Sequence, residues 1–238
     1  MARGKLIIID GIDGCGKSTI LDFWVEHLKN QGKKIFVLKE YWKENHRHPL
    51  PEEVSDYDVI ISAEPTYVWS GAGIRQEMIR NGTDYSARAI AHAYALDRMV
   101  LYKRLLVPLR ESGKIILQDR GVSTSLCYQS VQAGGLLQNE IAEIEGNVYA
   151  LEHAPDHLVL THMPIDQALK RVGGRTEKND DALFEKADFL TKAQDCFLSD
   201  EYQHHFTSRG TKIHLLNSAF SLDIMKTTSE ELLQDLLH

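Results

Sequence analysis

The residues GIDGCGKS at 11–18 constrain the fold of this chain more than any other feature. They follow the run LIIID at 6–10 and precede a helical stripe of Ile20, Phe23, Trp24 and Leu28 that closes near Gly32. A strand that turns through spaced glycines into a helix is the setting of the phosphate-binding pattern G-x-x-x-x-G-K-[ST]. Gly11, Gly14 and Gly16 permit a turn whose N–H groups converge, because side chains there would block the approach of phosphate oxygens. Lys17 brings a point charge to the β- and γ-phosphates, Ser18 a hydroxyl for Mg2+, and the helix start its positive dipole end. The expected ATP-binding set is therefore Gly11, Ile12, Asp13, Gly14, Cys15, Gly16, Lys17, Ser18 and Thr19. IILQD at 115–119 ends in Asp119, a second candidate for Mg2+ through water.

Further apolar runs of strand type are IFVL (35–38), VIIS (59–62), IIL (115–117), LVL (158–160) and IHLL (213–216). Helical patterns separate most of them. Continuous rather than alternating runs point to strands covered on both faces, and the helices between them point to parallel crossovers. That is a doubly wound α/β sheet. Residues 86–111 carry the longest helical pattern, bent near Pro108 and ending at Gly113. The polar stretch 41–58, with Pro49, Pro51, His46 and His48, reads as an inserted, solvated loop. The charged stretch 171–186 has two adjacent glycines and reads as a mobile lid. With no repeat and no Gly/Ser linker, one domain over 1–238 is expected.

Composition narrows the function classes. The chain has 27 Lys plus Arg and 34 Asp plus Glu, a formal charge of −7, which argues against a general nucleic-acid binder. Cys15, Cys127 and Cys196 lack ligand spacing and read as reduced thiols. No apolar stretch is long enough for a membrane span, so a cytoplasmic location without membrane contact is expected.

Four segments in series, IDGIDGCGKST (9–19), AEPT (63–66), AHAYALDRM (91–99) and QDRGVSTSLCYQ (118–129), together resemble the thymidylate kinases. The resemblance runs from about residue 4 to about residue 190. It implies a P-loop NTPase fold with a five-stranded parallel sheet, helices on both faces and a mobile lid. It also implies transfer of the γ-phosphoryl of ATP to dTMP with Mg2+, by a homodimer. Residue by residue, Asp13 would accept the sugar 3′-hydroxyl, Tyr94 would stack on thymine and Arg98 would hydrogen-bond the base. The i, i+4 spacing of Tyr94 and Arg98 suits two groups that address one base from one helix face. Arg120 would grip the acceptor phosphate, Ser125 would touch the base, and Tyr128 would pack under the sugar and crowd a 2′-hydroxyl. Glu64 and Pro65 match a turn beside the acceptor pocket, closed by Arg75, while Arg171 and Arg175 resemble lid arginines over the ATP phosphates. Lys17, Arg120, Arg171 and Arg175 form the expected catalytic set.

The match has departures. Ala63 stands where the family usually has an arginine that contacts the acceptor phosphate, leaving Arg120 and Arg75 or Lys39 for that task. Gly121 replaces an aromatic or histidine, and the 41–58 insert lengthens a connection that is normally short. Glu64-Pro65 followed by Trp69 also resembles a segment of deoxynucleoside kinases, in which Glu64 would act as base on a nucleoside 5′-hydroxyl. A third reading is an ATP-binding switch without small-molecule phosphorylation.

Overall fold

The computed structural model describes residues 3–80, 82–132, 134–173 and 187–238. Every apolar run listed above forms a strand: β1 (Leu6–Gly11), β2 (Ile35–Val37), β3 (Val59–Ala63), β4 (Ile115–Asp119), β5 (His157–His162) and β6 (Lys212–Asn217). Neighbours pair in parallel in the order β2-β3-β4-β1-β5-β6. Six strands correct the five that the resemblance implied. The run IFVL pairs with β3 from Ile35↔Val59 to Val37↔Ile61 and widens the sheet at the edge where the insert begins.

Alternate residues of each strand enter two separate cores. Ile8, Ile60, Ile116 and Leu158 join one, with Leu101, Leu105 and Leu126. Ile9, Val59, Leu117 and Val159 join the other, with Trp24 and Leu28 of the helix Lys17–Asn30 and Leu233 of the helix Leu222–Leu237. Helices therefore cover both faces, which is why the strands read as unbroken apolar runs. Among the described residues, no helix is long and apolar enough to cross a membrane.

The long helical pattern begins where Ser86 accepts a hydrogen bond from the Ala89 N–H at 3.2 Å. The helix Ala87–Leu101 continues through a wider π turn, Tyr102–Leu106, into Val107–Glu111. Pro108 has no N–H for the carbonyl four residues back, and the widened turn just before it accommodates the loss.

The 41–58 segment is not a solvated loop throughout. A helix spans Leu38–Asn45 and a 3₁₀ turn Pro51–Val54, with Leu38, Trp42 and Val54 buried. His48 is buried too, accepts a hydrogen bond from Trp42 Nε1 at 3.1 Å, and lies edge-on to Trp69. Burial and the nearby Arg104 charge lower its pKa to about 4. His46 is exposed as expected.

Candidate active site

Parallel strands gather their C-terminal ends on one side, where open α/β sheets bind ligands. Gly11, Ala63, Asp119 and His162 end β1, β3, β4 and β5 at that edge. The turn after Gly11 uses left-handed backbone at Gly14 (φ 84) and Gly16 (φ 88), a region that a β-carbon disfavours. At Gly14 a β-carbon would also lie 2.4 Å from the Ala168 carbonyl oxygen and 3.0 Å from a Val172 methyl. The helix Ile165–Gly173 thus rests directly on the loop. Lys17 is buried, and its ammonium donates to the carbonyls of Gly11 (2.9 Å) and Ile12 (2.8 Å). Cys15 packs against Thr161, and Ser18 is exposed on the first helical turn.

Arg120 joins this loop to the neighbouring pocket. Its Nη2 is ion-paired with Asp13 inside the loop, its Nη1 lies 3.7 Å from Asp10, and its guanidinium sits 5.3 Å from the Tyr128 ring centroid. The backbone at Arg120 is left-handed (φ 66), which turns the side chain out of the end of β4 toward the loop. Asp10 is fully buried and accepts from the Gly11 N–H (2.8 Å) and the hydroxyls of Ser123 and Thr124. Burial raises its pKa, opposed by Arg120 and Lys17. Sequence reasoning passed over Asp10; the one available signal was an acid closing an otherwise apolar strand.

Tyr94 lies on the helix Ala87–Leu101, and the charges of Arg75, Arg120, Arg98 and Asp13 all act on its hydroxyl. The motifs at 11–19, 63–75, 91–98 and 118–128 meet through two guanidiniums: Arg98 binds Glu64, Gly121 and Ser125, and Arg120 pairs with Asp13. Burial raises the Tyr94 pKa against the three cations.

Arg98 is 1% exposed and makes four hydrogen bonds within the protein. Its Nε donates to Glu64 at 2.7 Å, its Nη1 to Asn147 Oδ1, and its Nη2 to the Gly121 carbonyl (3.1 Å) and Ser125 Oγ (2.9 Å). A guanidinium has five N–H groups, so one, on Nη1, remains. Glu64 also accepts from Gln118 Nε2 at 3.0 Å. Burial raises the Glu64 pKa to about 7 against the pull of Arg98. Asn147 is fixed in turn by its donation to the Ile141 carbonyl at 2.7 Å. Asn147 carries no sequence signal, because it acquires its role from partners far along the chain.

Arg75 donates from Nε to the carbonyls of Pro65 (3.0 Å) and Thr66 (3.2 Å) and lies 4.0 Å from the Tyr67 ring centroid. Asp97 holds the same turn through the Thr66 N–H at 2.7 Å and the Thr66 and Ser70 hydroxyls. Tyr128 packs edge-on to Phe189 at 5.0 Å, and burial raises its pKa. Arg171 donates to the Ser218 carbonyl at 3.2 Å, and its Nη1 would be 3.5 Å from a β-carbon on Gly16. Arg175 and most of the 171–186 stretch lie outside the described residues.

Asp119 Oδ1 is buried and makes no hydrogen bond among the described residues. A hard carboxylate oxygen with spare acceptor capacity at the end of β4 suits a hydrated divalent cation.

The thymidylate kinase family model matches residues 43–214. A probable thymidylate kinase of Thermococcus onnurineus is 29% identical over 241 residues, covering 96% of this chain and 98% of the relative. The thymidylate kinase of Desulfotalea psychrophila is 30% identical over 209 residues, covering 86% and 87%. Among solved structures, the thymidylate kinase of Candida albicans superposes with a TM-score of 0.62 at 17% identity, covering 99% of this chain and 93% of that one. At that identity the superposition speaks for the fold.

Proposed function

This chain belongs to the thymidylate kinase family, and on that premise we propose that it phosphorylates dTMP to dTDP at the expense of ATP. The observation that carries the reading is Arg120: one guanidinium pairs with Asp13 of the phosphate loop and sits 5.3 Å from the Tyr128 ring centroid. A cation so placed between donor and acceptor can neutralise charge on a phosphoryl group in transit and hold the accepting phosphate. Lys17 and the loop N–H groups would bind the β- and γ-phosphates, and Arg171 with Arg175 would cover them. Ser18 and Asp119 would hold Mg2+, which when bound supplies further charge neutralisation on the donor phosphates.

On the acceptor side Tyr94 would stack on thymine, with Tyr128 under the sugar and Asp13 at the 3′-hydroxyl. The remaining Nη1 hydrogen of Arg98 would reach a base carbonyl while its other four fix Glu64 and Ser125. Glu64, Pro65 and Arg75 would form the wall beside the phosphate. The partner is then a small molecule rather than nucleic acid or membrane, and the chain would act as one domain in a cytoplasmic homodimer. The nucleoside-kinase alternative is disfavoured by the family match, and Glu64 is buried and committed to Arg98 rather than open to a 5′-hydroxyl. Incubation with ATP, Mg2+ and a panel of nucleosides and monophosphates tests the proposal. Formation of dTDP from dTMP supports it, and turnover confined to nucleosides overturns it.

A further inference from the structure

The helix that leads into the 41–58 insert reaches the turn that follows Glu64. The last ladder pair between β2 and β3 is Val37↔Ile61, and two residues beyond it stand Lys39 and Ala63. Lys39 lies in the first turn of the helix Leu38–Asn45, where its ammonium is 5.4 Å from the Tyr67 ring centroid. Arg75 approaches the same ring to 4.0 Å. Trp42, one helical turn after Lys39, is buried and stacks on Tyr67 with ring centroids 6.3 Å apart. Residues at i and i+3 share a helix face, so the buried indole fixes the direction in which the lysine stem leaves the helix.

Two other cations of the site are partly committed to the protein. Arg98 gives four hydrogen bonds, and Arg120 is ion-paired with Asp13 through Nη2 while its buried Nη1 makes no hydrogen bond among the described residues. Arg75 gives Nε and Nη2 to the carbonyls of Pro65 and Thr66, and its Nη1 makes no hydrogen bond among the described residues. Lys39 is exposed and, among the described residues, makes no hydrogen bond or ion pair; its charge only lowers the pKa of Asp22 from a distance, against the larger effect of burial. A phosphate dianion next to Pro65 needs donors with capacity to spare, and these two groups beside one ring have it.

We propose that Lys39 and Arg75, which both approach Tyr67, bind the phosphate of the acceptor together with Arg120, so that the helix leading into the insert favours a nucleoside monophosphate over a nucleoside. The assignment rests on the acceptor being dTMP. The helix and Trp42 hold the lysine in place, and Arg75 is held by the turn that follows Glu64.

The test is calorimetric titration of the full chain with dTMP and with thymidine, alongside steady-state kinetics, for the wild type, Lys39→Gln and Lys39→Arg. Lys39→Gln should weaken dTMP binding and raise its KM about tenfold, the scale expected when a charged contact to one substrate is lost. Thymidine affinity and the KM for ATP should stay within about twofold, and Lys39→Arg should restore dTMP binding. An unchanged ratio of dTMP to thymidine affinity in Lys39→Gln, with wild-type turnover of dTMP intact, overturns the Lys39 assignment alone. A wild type that transfers nothing to dTMP overturns the function itself, and this assignment with it.

Discussion

Replacing Arg98 by Met removes the hub of a buried hydrogen-bond network, and the consequence depends on pH in a way that the geometry specifies. Three neutral acceptors lose a buried donor: Asn147 Oδ1, the Gly121 carbonyl and Ser125 Oγ. At about 1 kcal/mol each, this destabilises by about 3 kcal/mol at any pH. Glu64 adds a second contribution. Its native pKa of about 7 stands above the ordinary value of 4.5, so in the wild type its ionisation lowers stability as pH rises from about 4.5 to 7 and then has no further effect. Without Arg98 the buried carboxyl keeps its proton to higher pH, and the variant goes on losing about 1.4 kcal/mol per pH unit above 7. Urea melts should therefore show a gap of about 3 kcal/mol at pH 6, widening to about 6 kcal/mol at pH 9. The thermal midpoint at pH 6 should fall by roughly 6–12 °C. Adding Glu64→Gln to the variant should remove the widening. A gap of the same size at pH 6 and pH 9, or one under about 1 kcal/mol throughout, would refute the buried pair as described.

Other substitutions separate the parts of the site. Lys17→Ala should lower kcat/KM by roughly 10² or more and, by leaving the Gly11 and Ile12 carbonyls without their donor, destabilise by about 1–3 kcal/mol; steady-state kinetics and a urea melt check both halves. Arg171→Ala and Arg175→Ala should each reduce kcat more than they raise the KM for dTMP, because the contact serves the transferring group; unchanged kcat in the double variant would make the stretch a surface feature only. Tyr128→Ala should narrow the preference for dTMP over its ribose counterpart, measured as a ratio of kcat/KM, and dUMP should trail dTMP by about 1 kcal/mol for the missing methyl.

The fold was legible where the chemistry is local. Unbroken runs such as LIII and VIIS announce strands with both faces covered, and all six runs became strands, including IFVL at the edge of the sheet. The phosphate loop was legible because glycines, lysine and serine are set by spacing within eight residues. The insert misled because Pro49, Pro51 and its charges dominate its composition. Its helix announces itself only through Leu38 and Trp42, an i, i+4 apolar pair whose partners lie across the fold. Arg98 was singled out, yet its company could not be read. Glu64, Asn147 and Ser125 come from a strand end and two separate helices, and only tertiary packing brings them to one guanidinium. Asp10 was missed for the opposite reason: it sits beside the loop motif but outside its pattern.

The central claim is that the acceptor is a nucleoside monophosphate. Steady-state kcat/KM for dTMP and for thymidine, measured side by side with saturating ATP and Mg2+ and with dTDP or dTMP identified as product, tests it most directly. A site whose cations bind the acceptor phosphate predicts efficient dTDP formation and little or no turnover of thymidine, because a nucleoside would leave the half-buried Arg75 and Arg120 without that anion. Thymidine ahead of dTMP would contradict it.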